Sequence, residues 1–189
     1  MLRRWLRAVT LAFGAALLAP AAGADDARVR VLLDTVEPGA EGLRVEIRDS
    51  EIAPQISVVN DTGRAIEVLD EWGRAFLRIG PAGVEADEAA PTWYRTMSAA
   101  GEVAPPEATT TSTPAWHKVS AQASWTWFDR RLDKAALAIP EGNAHAGDKA
   151  AIGPWRIEAR LEGVPLEIRG HFEYSPGARR PLGPRAAYQ

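Results

Sequence analysis

Cysteine is absent from all 189 residues. That excludes disulfide stapling, thiol catalysis and thiolate metal sites, and leaves the core to apolar packing alone. Histidine is scarce, with three in the chain, so imidazole chemistry has few places to sit. Long apolar runs are missing after the first twenty residues. None approaches the ~18 residues that a membrane-spanning helix needs. Several signatures of catalysis are also missing: the Gly-x-Ser-x-Gly elbow, His-Glu-x-x-His, a paired Ser-x-x-Lys and any glycine-rich phosphate loop.

A leader is present. Arg3, Arg4 and Arg7 precede the apolar run from Ala8 to Ala19, and Ala22-Gly23-Ala24 offers the small-x-small pattern cut by signal peptidase. Residues 1–24 are therefore read as a signal peptide, and the chain as exported, periplasmic or extracellular. The early arginines leave the general and twin-arginine routes both open. No cysteine follows to carry a lipid anchor, so no membrane attachment is expected once the leader is removed. Its three arginines take Lys+Arg from 22 to 19 against 25 Asp+Glu, a formal charge of −6. An acidic chain of this kind argues against nucleic acid or anionic lipid as the partner, since both need a basic face.

Hydrophobicity then repeats every two residues. Val29, Val31 and Leu33, then Leu43, Val45 and Ile47, alternate with charged neighbours, as in strands with one face on a core and one in water. Asn60-Asp61-Thr62-Gly63 has the turn chemistry of a hairpin between Ile56–Val59 and Ala65–Leu69, and Asp70-Glu71-Trp72-Gly73 turns the chain again. Trp155, Ile157, Ala159 and Leu161 share one face of a strand that turns at Gly163 and returns through Leu166, Ile168, Gly170, Phe172 and Tyr174. Turns this frequent predict an all-β protein of two small antiparallel units, immunoglobulin-like or sandwich, spanning 25–98 and 116–176. A Pro/Thr-rich linker or loop, 99–115, joins them, and 177–189 reads as a disordered tail.

The densest chemistry lies between Pro114 and Asp133. It holds Trp116, Trp125 and Trp127, three of the six tryptophans beyond the leader, with His117 and Asp129-Arg130-Arg131. On a strand Trp125 and Trp127 share a face, which suits either a stacking platform for a ligand or the core of a small sandwich. Trp72 falls at a hairpin tip, where a large aromatic is hard to bury. Trp72, Trp116, Trp125, Trp127 and Arg130 are the candidate partner-binding residues. Asp129-Arg130-Arg131 also fits a salt-bridged rim. A second reading takes His117, Asp129 and His171, with His145, as ligands for copper or zinc, although no two have ligand spacing and the plain alternative is surface histidines. A third, a hydrolase using Ser120, His117 and Asp129, rests on residue types alone.

Several segments resemble a family of uncharacterised exported β-rich envelope proteins from GC-rich bacteria. They are Gly42-Leu43-Arg44-Val45, Val59 to Arg64, Phe76 to Pro81 with Gly83-Val84, Pro91-Thr92-Trp93-Tyr94, Trp116 to Ser120, Trp125 to Arg131, and the closing hairpin through Tyr174. The resemblance implies an all-β envelope protein, beside exported copper-handling proteins. Two departures matter: family members often have His where Arg130 stands, which weakens a metal role, and often end in a membrane anchor that this sequence lacks. The function expected is thus a non-enzymatic, exported accessory or binding protein needing no cofactor, presenting aromatic residues to an envelope protein or small ligand.

Overall fold

Residues 28–49, 52–135, 137–138 and 149–175 are described by a computed structural model. They form two antiparallel sheets. The larger has seven strands, in the order β1 (Arg28–Glu37), β10 (Val164–Ser175), β9 (Ala150–Leu161), β4 (Ile66–Leu69), β5 (Ala75–Gly80), β6 (Gly83–Asp87) and β7 (Trp116–Ser120). The smaller has β2 (Leu43–Arg48), β3 (Gln55–Asn60) and β8 (Ser124–Phe128), in that order. One short helix, α1 (Pro91–Arg95), starts on proline, whose missing N–H costs nothing at a first helical position. No helix among the described residues is long and apolar enough to cross a membrane.

The all-β expectation holds, and the alternating strands bury the faces they were expected to bury. On β9 Trp155, Ile157, Ala159 and Leu161 point inward while Arg156, Glu158 and Arg160 stay exposed. The closing hairpin pairs Leu161 with Val164, and its two-residue turn places Glu162 at φ 51° and Gly163 at φ 81°. Positive φ at both positions gives a twist that matches the strands.

The strands on either side of residues 99–115 are interleaved. In the large sheet β1 pairs with β10, β4 with β9 and β6 with β7, and in the small sheet β3 pairs with β8. Among the described residues Val31, Ile56, Phe76, Trp127, Ile157 and Phe172 all belong to one hydrophobic cluster between the sheets. The intervening segment lies against this body: the Glu88 backbone N–H donates to the Ala115 carbonyl at 2.9 Å, Arg74 donates to the Thr109 carbonyl at 2.9 Å, and Ala108 is buried.

One expected hairpin is a corner. Residues 60–63 do turn the chain, but β3 and β4 enter different sheets instead of pairing with each other. The buried Asn60 side chain holds the corner. Its amide donates to the carbonyls of Arg64 and Ile79, each at 2.7 Å, and its oxygen accepts from the Thr62 backbone and hydroxyl. Turn chemistry specifies a local bend, and not the sheet in which the next strand finds its partner.

Gly170 is required by packing. It faces Trp155 across β10 and β9, and a Cβ there would lie 2.0 Å from the Leu32 carbonyl oxygen and 2.2 Å from Trp155 Cζ2. Backbone on one side and a buried indole on the other leave no room to give. Gly170→Ala should therefore destabilise the fold by about 3 kcal/mol, the upper end of ordinary overpacking, seen as a lowered urea midpoint.

Candidate binding surface

The Trp-rich stretch divides between core and surface. Trp127 is 1% exposed and lies in the core. Trp125 is half-buried, its ring 6.1 Å from that of Trp93 and tilted by 36°. The face that these two share is thus turned against α1 and the large sheet. Trp116 lies half-buried on the edge strand β7 with the Arg78 guanidinium 3.8 Å above its ring. Arg78 is itself paired with Glu67 at 2.9 Å. Trp72 differs. It sits on the β4–β5 turn, 54% exposed, with the Arg95 guanidinium 5.5 Å from its ring centre.

At the end of β8, Trp127 leads directly into a buried ion pair. Its indole N–H donates to Asp129 Oδ2 at 3.0 Å, and Arg131 grips both carboxylate oxygens at 2.8 Å, through Nε and Nη2. Arg131 also donates from Nη1 to the Leu69 carbonyl at 2.9 Å, tying the turn to the large sheet. Burial pushes the Asp129 carboxyl up, but the hydrogen bonds and charge of Arg131, with the Trp127 N–H, hold it below its ordinary value. This pair is structural: every carboxylate oxygen is occupied.

Arg130, between these residues, turns outward. It is exposed, and among the described residues its guanidinium has no hydrogen-bond or ion-pair partner. Arg130 and Arg95 line two adjoining hollows. One, of about 180 Å³, is completed by Glu71, Thr92, Thr96, Asp129 and Arg131. The other, of about 130 Å³, has Ile52, Pro54 and Phe128 on its apolar side, and Asp129 and Asp133 set two carboxylates against its two arginines. Arg95 contacts Glu71 at 3.0 Å, with both side chains more than 40% exposed, so this pair contributes little and is easily exchanged. Arg95 and Thr92 were not among the residues expected from sequence. The signal for them was Pro91, which starts the short helix that carries both.

Larger hollows of about 570 and 400 Å³ lie along β9 and β10, and both include Arg156 and Glu167. Their charges neutralise one another: Arg156 approaches Glu158 and Glu167, and Arg169 binds Glu167 and approaches Glu37. Arg160, which lines the smaller of the two, has no hydrogen-bond or ion-pair partner among the described residues, as is the case for Arg130.

The residues considered as metal ligands are not brought together. His117 is exposed on β7, 3.6 Å from Glu88, and His171 sits on β10, 2.8 Å from Asp34. Four strands separate β10 from β7 in the sheet, a distance of about 24 Å at the usual strand spacing. Asp129 is already fully bonded. Among the described residues no three His, Asp or Glu side chains are grouped to hold an ion. His145 lies outside the described residues. Compared with known families, curated proteins and solved structures, the chain matches none.

Proposed function

We propose that the chain is an exported, non-enzymatic binding or accessory protein of the cell envelope, and that it meets its partner at the end carrying Trp72, Arg95 and Arg130. The observation that carries this reading is Trp72 itself: a large aromatic, half out of the protein at a rigid turn, beside the Arg95 guanidinium. Tryptophan and arginine are the residues that concentrate binding energy in protein interfaces. The turn is well fixed, because Asp70 Oδ1 accepts from the backbone N–H groups of Trp72 and Arg74 at 3.0 and 2.8 Å. A preordered anchor loses little entropy on binding. A catalytic reading has less support here, since Asp129 is committed to Arg131 and Trp127 and Glu71 to Arg95.

A photo-crosslinking residue at position 72, compared with one at Val164, tests the proposal in envelope extract. Val164 is 55% exposed at the β9–β10 turn, toward the opposite end of β4. Specific adducts should form from position 72 only, and Trp72→Ala should weaken capture of the same partner about tenfold, a change of about 1.4 kcal/mol. Equal labelling from both positions would refute the assignment.

A further inference from the structure

Exposed apolar side chains are not spread evenly over this molecule. We infer that the end bearing Trp72 is a self-association surface, on which two copies of the chain meet about a twofold axis with Glu71 of each copy against Arg95 of the other. The inference rests on the binding-surface reading above and names the partner.

Among the described residues five large hydrophobic side chains are exposed, and four of them are tied to the C-terminal end of α1. Val103 is 95% exposed and Ile52 84% exposed, with Trp72 and Met97 about half so. The Arg95 guanidinium lies 5.5 Å from the Trp72 ring, and Ile52 lines a hollow with Arg95 and Ala99. The Tyr94 carbonyl accepts from the backbone N–H of Met97 at 3.4 Å and from that of Glu102, the neighbour of Val103, at 2.9 Å. Only Val164 stands apart, at the β9–β10 turn. Apolar residues exposed singly are ordinary, whereas a group of them rimmed by polar residues marks an interface.

Charge selects the occupant. The two hollows around Arg95 set three arginines against three carboxylates, Glu71, Asp129 and Asp133. Their lining is neutral, although the chain carries a net charge of −3, so the acidic excess that would repel a second copy lies elsewhere. A twofold contact needs a patch that complements itself, each contact being made twice with the roles of the copies exchanged. Glu71 and Arg95 meet that condition. They are paired within one copy at 3.0 Å with both side chains more than 40% exposed, a bond of little worth, so each exchanges its own partner for that of the other copy at small cost. Apolar residues closing around the exchanged pairs exclude the water that weakens them. A lipid surface fits less well, because membranes draw in basic patches and the carboxylates here cancel that attraction.

The test is sedimentation equilibrium of the purified chain from about 1 to 500 μM, a range suited to a small interface of a few protruding side chains. The average mass should rise with concentration from one copy toward two. Trp72→Ala and Ile52→Ser should each raise the dissociation constant at least about tenfold with an unaltered melting temperature, and Val164→Ser should leave it unchanged. Arg95→Glu and Glu71→Arg should each be monomeric alone, and an equimolar mixture of the two should dimerise. In that mixture every pair between copies has opposite signs while the pair inside each copy stays like-charged, so a role confined to one copy predicts no rescue. A monomer throughout the range would overturn the inference, as would a dimer indifferent to Trp72→Ala or charge variants that mixing does not rescue. A monomer whose position-72 crosslinker captures a different protein would refute self-association and leave the binding-surface reading standing. Trp72-dependent sedimentation with phosphatidylethanolamine–phosphatidylglycerol vesicles, without a dimer, would identify a lipid surface and refute it as well.

Discussion

Asp129→Ala should cost about 3–5 kcal/mol of folding free energy, the range for stranding one partner of a buried ion pair. The carboxylate is 7% exposed and accepts four hydrogen bonds, from the Trp127 indole and from the backbone N, Nε and Nη2 of Arg131. Truncation leaves a mostly buried guanidinium uncompensated and the indole N–H of a core tryptophan unpaired. Both penalties fall at the junction of β8 with the large sheet, because Arg131 reaches back to Leu69. Urea unfolding at neutral pH measures the loss, and a change below about 1 kcal/mol, the worth of an exposed pair, would show that water relieves the stranded charge. The same residue sets an acid response. Its carboxyl titrates below the ordinary value of 3.8 when folded. The stability it confers is therefore complete above about pH 4 and disappears as the pH falls through the lowered folded value. Below about pH 4 the wild type should lose stability more steeply than Asp129→Ala, and parallel curves would contradict this account.

Asp87→Ala should be comparably severe, about 3–5 kcal/mol, with a second, local symptom. The Asp87 side chain is fully buried; Oδ2 accepts from Arg74 at 2.6 and 3.0 Å, and Oδ1 from the backbone N–H groups of Ala89 and Ala115 at 3.0 and 2.8 Å. Arg74 also holds the Thr109 carbonyl. Removing the carboxylate therefore loosens two attachments of the 105–115 segment together, the Ala115 N–H and, through Arg74, the Thr109 carbonyl. Limited proteolysis under native conditions should nick this segment well before global unfolding. Loss of stability without faster nicking would mean that the buried Ala108 and the Glu88–Ala115 backbone bond suffice to hold it.

That segment illustrates what sequence conveys and what it does not. Its prolines and threonines have the composition of a linker, and composition contains no trace of a buried aspartate nearly thirty residues upstream. The β9–β10 hairpin was legible because every determinant is local: alternation on both strands and a glycine in the left-handed region at the turn. The corner at Asn60 was legible as a bend alone, since its amide reaches Ile79, a contact set by the tertiary fold. Trp125 and Trp127 could be placed on one strand face by spacing, but whether that face met water depended on α1, five residues long and marked only by Pro91. Arg130 stood out as one of a charged triplet. That its guanidinium has no partner among the described residues is a property of geometry, decided by which neighbouring arginine Asp129 selects.

The place of β10 beside β1 has a consequence in time. Without residues 150–175, β1 has no neighbour in the large sheet and β4 has none on its outer side. A chain that emerges from its N-terminus can assemble β4 to β7 and the small sheet, yet the larger sheet stays split until the last hairpin arrives. Closing it joins residues almost the whole chain apart, the kind of contact that slows folding most. The large sheet is therefore complete only when its last hairpin lies between its first strand and β4, the final strands acting as the keystone for the first.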